Sequence, residues 1–299
     1  MGYLFLSLAL AFGTVKAYCG KRTSDRVSGT SSAILVNTVR IGICILIGFG
    51  MVVFGGKLGA LSLSTELFLI YLLSGLTTGA FIVTWLLSVR QGAFAMVDVF
   101  LLVSVIIPML LSSYLYSEEI RPIQWIGIAL LIVSGYIMST YNKSIKGKMS
   151  LSAKILLVIC MISYGFSNFS QKLFVNYAPT VDVAVFNFYT YLFAGPLLVI
   201  FYFLFRAIDK KDMTASPARL IKSIWLYILI MAVCLFLNSY FMTCATKRLD
   251  ATELYPLSQG SCLVISLLLS AIFFNEKINL KAIIGIVCCF VSLLMINIL

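Results

Sequence analysis

Ser117-Glu118-Glu119-Ile120-Arg121-Pro122, with the apolar run that follows it to Met138, decides how this chain is read. The stretch returns 158 positions later, so that Glu118 falls on Glu276, Ile120 on Ile278, Gly127 on Gly285 and Ser134 on Ser292. The register continues upstream without a gap: Ser112 falls on Ser270, Ala93 on Ala251 and Arg90 on Arg248. Across Arg90–Ser139 against Arg248–Asn297, 13 of 50 pairs are identical. Apolar pairs coincide by chance in so apolar a chain; the matches at Arg, Ser, Glu and Gly carry the information. The chain reads as two copies of one unit.

Composition says where those units live. Of 299 residues, 61% are hydrophobic and only 11% charged, where a soluble domain carries about a quarter charged. Apolar runs of about twenty residues recur along the whole length, as membrane-spanning helices require. With no histidine, imidazole acid–base chemistry and His-ligated metals are excluded. The eight cysteines form no CxxC pair and sit mostly in apolar runs, where they read as small buried hydrophobes. No cofactor is expected. The net charge of +11 is not a nucleic-acid signal, because the basic residues lie mainly between spans. The run Tyr3–Val15 lacks a basic leader and a small-residue cleavage site, so it reads as a first span rather than a signal peptide.

Ten spans are expected, at 3–20, 33–54, 66–88, 92–115, 121–141, 151–173, 183–206, 223–246, 251–273 and 278–298. Each is a helix, because lipid offers the backbone no hydrogen-bond partner. The expected fold is therefore all-α, with residues 1–141 as one five-helix repeat, 142–150 as a connecting loop and 151–299 as a second repeat. An odd number of spans per repeat makes the second enter the membrane in the opposite sense. Inverted repeats with a site at their interface are a mark of secondary transporters. With Lys16 and Arg40 set aside, 15 Lys and Arg belong to the loops after odd spans and 5 to those after even ones. The positive-inside rule then puts both termini outside.

This pattern resembles the drug/metabolite transporter superfamily, in its ten-helix EamA-like branch. The likeness rests on the paired acidic turns Glu118-Glu119 and Glu276-Lys277, each followed by a span with Gly nine residues on. The short turns Ser88–Ala93 and Thr246–Ala251 add to it. It covers essentially the whole chain. The resemblance implies a cell-membrane protein whose central cavity is lined by the first four spans of each half, with spans five and ten outside and one half rocking against the other. It also implies cytoplasmic termini, against the loop count, and the orientation stays open between the two. It leaves the substrate open, since that fold carries amino acids, nucleotide sugars, drugs and other metabolites.

Candidate site residues are the polar groups placed inside spans. Ionisable residues there are costly and tend to be functional or paired. Arg40 lies about seven residues into span two, roughly 10 Å deep at the helical rise. Lys16 ends span one, and Asp98 lies at a similar depth in span four, all three toward the same face. Asp98 is expected to neutralise one of the two cations, leaving the other for an anionic or zwitterionic substrate. Lys172 and Glu253 form a shallower, interfacial pair of charges toward the opposite face. Uncharged candidates are Asn168, Asn187, Tyr189, Asn238, Tyr255 and Gln259, with Ser170 and Gln171 beside the first and Asn37 and Thr38 in span two. Gly75-x-x-x-Gly79 is expected to serve helix packing, and Pro108 and Pro196 mark candidate kinks.

The leading expectation is a secondary transporter of a small polar metabolite, anionic or zwitterionic, of amino-acid, nucleotide or phosphorylated type. It would work against a coupling proton or an exchanged counter-substrate, as a monomer or homodimer. A lipophilic-cation exporter is the alternative, with Trp85, Tyr189, Tyr240 and Tyr255 as aromatic walls. A lipid flippase ranks lower. A membrane enzyme ranks lowest, since no nucleophile–base or paired-carboxylate motif is present and the loops are short.

Overall fold

The computed structural model describes residues 1–24, 26–27, 29–61, 63–90, 94–139, 151–208, 217–273 and 280–297. Among them lie eleven α-helices and no strand: α1 (Gly2–Ser24), α2 (Thr30–Phe54), α3 (Thr65–Arg90), α4 (Phe94–Ser104), α5 (Ile106–Tyr116), α6 (Pro122–Ser139), α7 (Leu151–Tyr177), α8 (Val183–Ile208), α9 (Pro217–Thr246), α10 (Ala251–Phe273) and α11 (Leu280–Asn297). Among the described residues, six of these are long and apolar enough to cross a membrane, and three apolar stretches are shorter: Phe100–Tyr116, Pro122–Ile137 and Ile283–Ile296. Leu46, Phe54, Phe203, Trp225 and Ile272 are among the large apolar side chains that face outward, as a lipid-facing surface demands. Glu276 and Lys277, the turn 91–93 and the connecting stretch 142–150 lie outside the described residues.

The fourth expected span is divided. Pro108 has no N–H to give the carbonyl of Ser104, and its ring crowds that carbonyl. The helix accordingly breaks at Val105 into α4 and α5, with the Val105 N–H tightening onto the Leu102 carbonyl at 3.2 Å. The gap is filled from α7: a Cβ at Gly165 would stand 2.6 Å from Ile107 Cδ1 and 2.9 Å from the Ser104 oxygen. Pro196, by contrast, sits inside α8 without interrupting it.

The principal packing partners join helices from before residue 140 with helices from after 150: α1 with α9, α3 with α7, α2 with α8, and α6 with α11. All four pairs run antiparallel. Position 13 of α1 meets Asn238 of α9 and position 20 meets Met231. Between α3 and α7, Tyr71 meets Phe174 and Phe81 meets Tyr164. The α6–α11 seam is reciprocal. Ser134 Oγ donates to the Gly285 carbonyl at 2.7 Å, and Ser292 Oγ donates to the Gly127 carbonyl. In lipid these hydroxyls have no water to turn to, so each bond also fixes the register.

Gly75 makes the close approach that the Gly75-x-x-x-Gly79 spacing predicts, while a Cβ at Gly79 would meet only ordinary contacts from 3.4 Å. A Cβ at Gly75 would lie 2.6 Å from Phe193 Cβ and 2.8 Å from the Thr190 oxygen, so only glycine lets α3 and α8 run this close. Ser74 and Thr190 complete that contact with a 2.9 Å hydroxyl bond. Gly127 is equally tight, since a Cβ there would stand 2.7 Å from Ile296 Cγ1. Gly127→Leu is expected to destabilise the protein by about 1–3 kcal/mol through overpacking, read as a lower melting temperature, with the order of ligand preference unchanged.

Beyond the spans, Asp182 opens α8, accepts from the Ala184 N–H at 2.7 Å and pairs with Lys57. Partial burial raises the Asp182 carboxyl, but Lys57, the Ala184 N–H and Lys247 outweigh it and hold it below the usual carboxylate range. A depressed carboxylate stabilises above its unfolded pKa, near 3.9, and that contribution is lost as pH falls through the folded value. The pair is partly solvated, so the effect is under about 1 kcal/mol. The melting temperatures of wild type and Asp182→Asn should therefore differ at pH 6 and converge as pH drops below about 4.

Candidate functional site

A cavity of about 140 Å³ lies among α1, α2, α3, α4, α7, α8, α9 and α10. No described residue of α6 or α11 lines it. Of the residues that sequence singles out, Lys16, Arg40, Trp85, Asn168, Asn238 and Gln259 line this one space.

Each wall residue is positioned by its helix neighbours. Lys16 extends from α1 to Asn238 Oδ1 at 3.4 Å, and the Asn238 amide donates to the Ala9 carbonyl at 2.7 Å, which holds its oxygen toward the lysine. Arg40 is 2% exposed, and its Nε has no hydrogen-bond partner. No ion pair involves Lys16 or Arg40 among the described residues. Trp85 packs so closely on α1 that a Cβ at Gly20 would stand 2.8 Å from its ring. Across the cavity, Phe81 lies against Tyr164 with ring centroids 4.6 Å apart, and the Tyr164 hydroxyl accepts from Gln259 Nε2. Thr78 and Ser167 share a 2.9 Å bond.

Three residues of this wall each carry a buried polar atom without a hydrogen bond of normal geometry: Arg40 Nε, Asn168 Nδ2 and Gln171 Oε1. A buried polar group without a partner costs about 1–3 kcal/mol, so three around one space make it a candidate binding site. The arrangement offers a cationic end, aromatic sides and uncharged donors and acceptors. That arrangement can hold an anion.

Three expected residues are not on the wall. Asn187 turns to the Val183 carbonyl and takes a 2.6 Å bond from Ser239 Oγ; Ser239, not Asn187, reaches the cavity. Tyr255 is fully buried, and its hydroxyl donates to the Asn168 carbonyl at 2.7 Å. It therefore fixes α7 from behind. Tyr189 donates to the Leu61 carbonyl at 2.7 Å and stacks on Tyr71, in an aromatic cluster away from the cavity. The side chain of Asp98 lies outside the described residues; its backbone stands one turn before Leu101, which lines the cavity.

Lys172 departs from expectation as well. It is 5% exposed rather than interfacial, because α7 continues to Tyr177 and leaves it more than a turn inside the helix. Its ammonium pairs with Glu118, whose other oxygen accepts from the Ala251 N–H at 3.0 Å. Glu253 does stay partly exposed, taking a bond from the Tyr3 hydroxyl.

The sequence model of the EamA-like transporter family matches residues 1–140 and 151–298. No curated protein matches. Among solved structures, one crystal structure superposes with a TM-score of 0.71 at 14% identity, covering 98% of this chain and 95% of that one. At that identity the likeness speaks for the fold alone.

Proposed function

We propose that this chain, which belongs to the EamA-like transporter family, carries a small polar organic anion or zwitterion by alternating access. The family makes it a multi-pass membrane protein and a membrane transporter of the drug/metabolite type rather than an enzyme. The substrate charge rests on one observation: Arg40 is buried on the cavity wall with an unpartnered Nε and without an ion pair among the described residues. A carboxylate or phosphate would supply the missing acceptor in paired geometry.

The mechanism we infer needs ten spans arranged as two inverted five-helix repeats, with α4 and α5 together as one span. The α6–α11 seam supports this. Ser134 and Ser292 are repeat mates, as are Gly127 and Gly285, and the two hydroxyl–carbonyl bonds exchange under the 158-residue shift. Such an exchange between antiparallel helices is what a two-fold axis in the membrane plane produces. No ATP-binding motif is present in the sequence, so a proton gradient or an exchanged counter-substrate would drive the cycle.

A thermal-shift screen of the purified protein tests the charge. Ligands that bind the native state raise its melting temperature by mass action. Carboxylates, phosphates or amino acids should do so, and lipophilic ammonium ions should not. Stabilisation by the ammonium ions alone would give the cavity to the cation-exporter reading, for which Phe81, Trp85 and Tyr164 would be the aromatic walls.

A further inference from the structure

Resting on the reading of this cavity as an anion site, we infer that it recognises its substrate at two ends. An anionic group sits at Lys16 and Arg40. At the other end, Asn168 and Gln171 hold a neutral group that both accepts and donates a hydrogen bond, a primary carboxamide or a hydroxyl.

Helix register gives the span between the ends. Thr78 and Ser167 face each other at 2.9 Å, which levels α3 with α7. Gln171 is four residues past Ser167, about 6 Å further along the axis. Asn37 donates to the Ile82 carbonyl at 3.3 Å, which levels α2 with α3. Arg40, three residues on and running back along α3, comes within about a turn of Thr78 on the side away from Gln171. Lys16 lies four residues before Gly20, which packs on Trp85, and falls near the level of Phe81. The cations and Gln171 are thus separated by about 7–10 Å along the bundle, with Asn168 about 4.5 Å nearer the cations than Gln171.

The far end has its own chemistry. Asn168 and Gln171 are one turn apart on α7 and both line the cavity. They are 3% and 7% exposed; the Asn168 amide lies beside the Tyr164 hydroxyl without a hydrogen bond of normal geometry, and Gln171 Oε1 has no partner. The Tyr255 bond to the Asn168 carbonyl fixes that turn. A carboxamide answers both atoms at once, its oxygen taking the Asn168 N–H and its nitrogen giving to Gln171 Oε1. A second carboxylate does not, because Gln171 presents an acceptor and the adjoining Lys172 is already held by Glu118. An apolar end leaves both groups unpaired.

The test uses the full chain in detergent and three probes of equal length: adipamate, adipate and hexanoate. Calorimetry should show adipamate binding at least about 10-fold more tightly than either of the others. In Asn168→Leu and in Gln171→Leu the adipamate-to-hexanoate ratio should fall to within about 3-fold. Arg40→Met should weaken all three. Equal affinities in the wild type, all weakened by Arg40→Met, would overturn the two-ended reading and leave the anion site standing. Tighter binding of adipate than of adipamate would overturn it too. Failure of every probe to bind would remove both. The wild-type ratios decide without the variants should either leucine change prevent folding.

Discussion

Arg40→Met should lower the affinity for the stabilising anion about 100-fold and leave the melting temperature unchanged or higher. Truncating one partner of a buried, hydrogen-bonded charge pair costs about 2–5 kcal/mol or more, and about 2.7 kcal/mol is 100-fold. Stability moves the other way because the guanidinium sits at 2% exposure with an unpartnered Nε and no ion pair among the described residues. Methionine fills much of the same volume without a charge to desolvate. Arg40→Lys should fall between the two, since it keeps the charge and loses the paired donors. A melting temperature that drops in Arg40→Ala and recovers when Asp98→Asn is added would instead mean a standing Arg40–Asp98 pair. Even then the double variant should fold and fail to transport.

Why Arg40 was legible and Asn187 was not follows from what a membrane helix writes into its sequence. A charge at that depth stands out against an apolar run. Neutral polar residues do not declare which face they serve. Asn187, Tyr189 and Tyr255 lie in the right helices and are used to hold other helices. Ser239, Tyr164 and Thr78, which do line the cavity, look no different in sequence. One signal was available: Tyr164, Asn168 and Gln171 fall at i, i+4 and i+7, a single polar stripe on α7. The break at Val105 was written in Pro108. The seams were written in Gly75, Gly127, Ser134 and Ser292, because close approach needs small residues. The position of Lys172 was obscured by the end of its helix: the apolar run fades near 173, while hydrogen bonding continues to Tyr177. Hydropathy marks where lipid ends, not where a helix does.

Glu118→Ala should cause the largest loss of stability of any single change considered, about 3–5 kcal/mol. Glu118 is nearly buried, its side chain 11% exposed and that of Lys172 6%. One oxygen meets the Lys172 ammonium; the other accepts from the Ala251 N–H, in the first turn of α10, where the helix dipole favours an anion. Alanine leaves a buried ammonium and an open amide behind. Lys172→Met is milder, since the carboxylate keeps its amide and the dipole. The double variant Glu118→Gln with Lys172→Met should regain most of the loss, because Gln still offers the Ala251 N–H an oxygen and no charge is left unpaired. A double-mutant cycle by thermal melting, closed with the single variant Glu118→Gln beside Lys172→Met, reads the coupling directly; additive single effects would mean the pair contributes nothing as a pair. The same tie joins the first half to the second through α7 and α10. Under the proposed alternating access, rocking of the halves would break it, so neutralising both partners should change the turnover rate far more than the affinity of the cavity for the proposed anion.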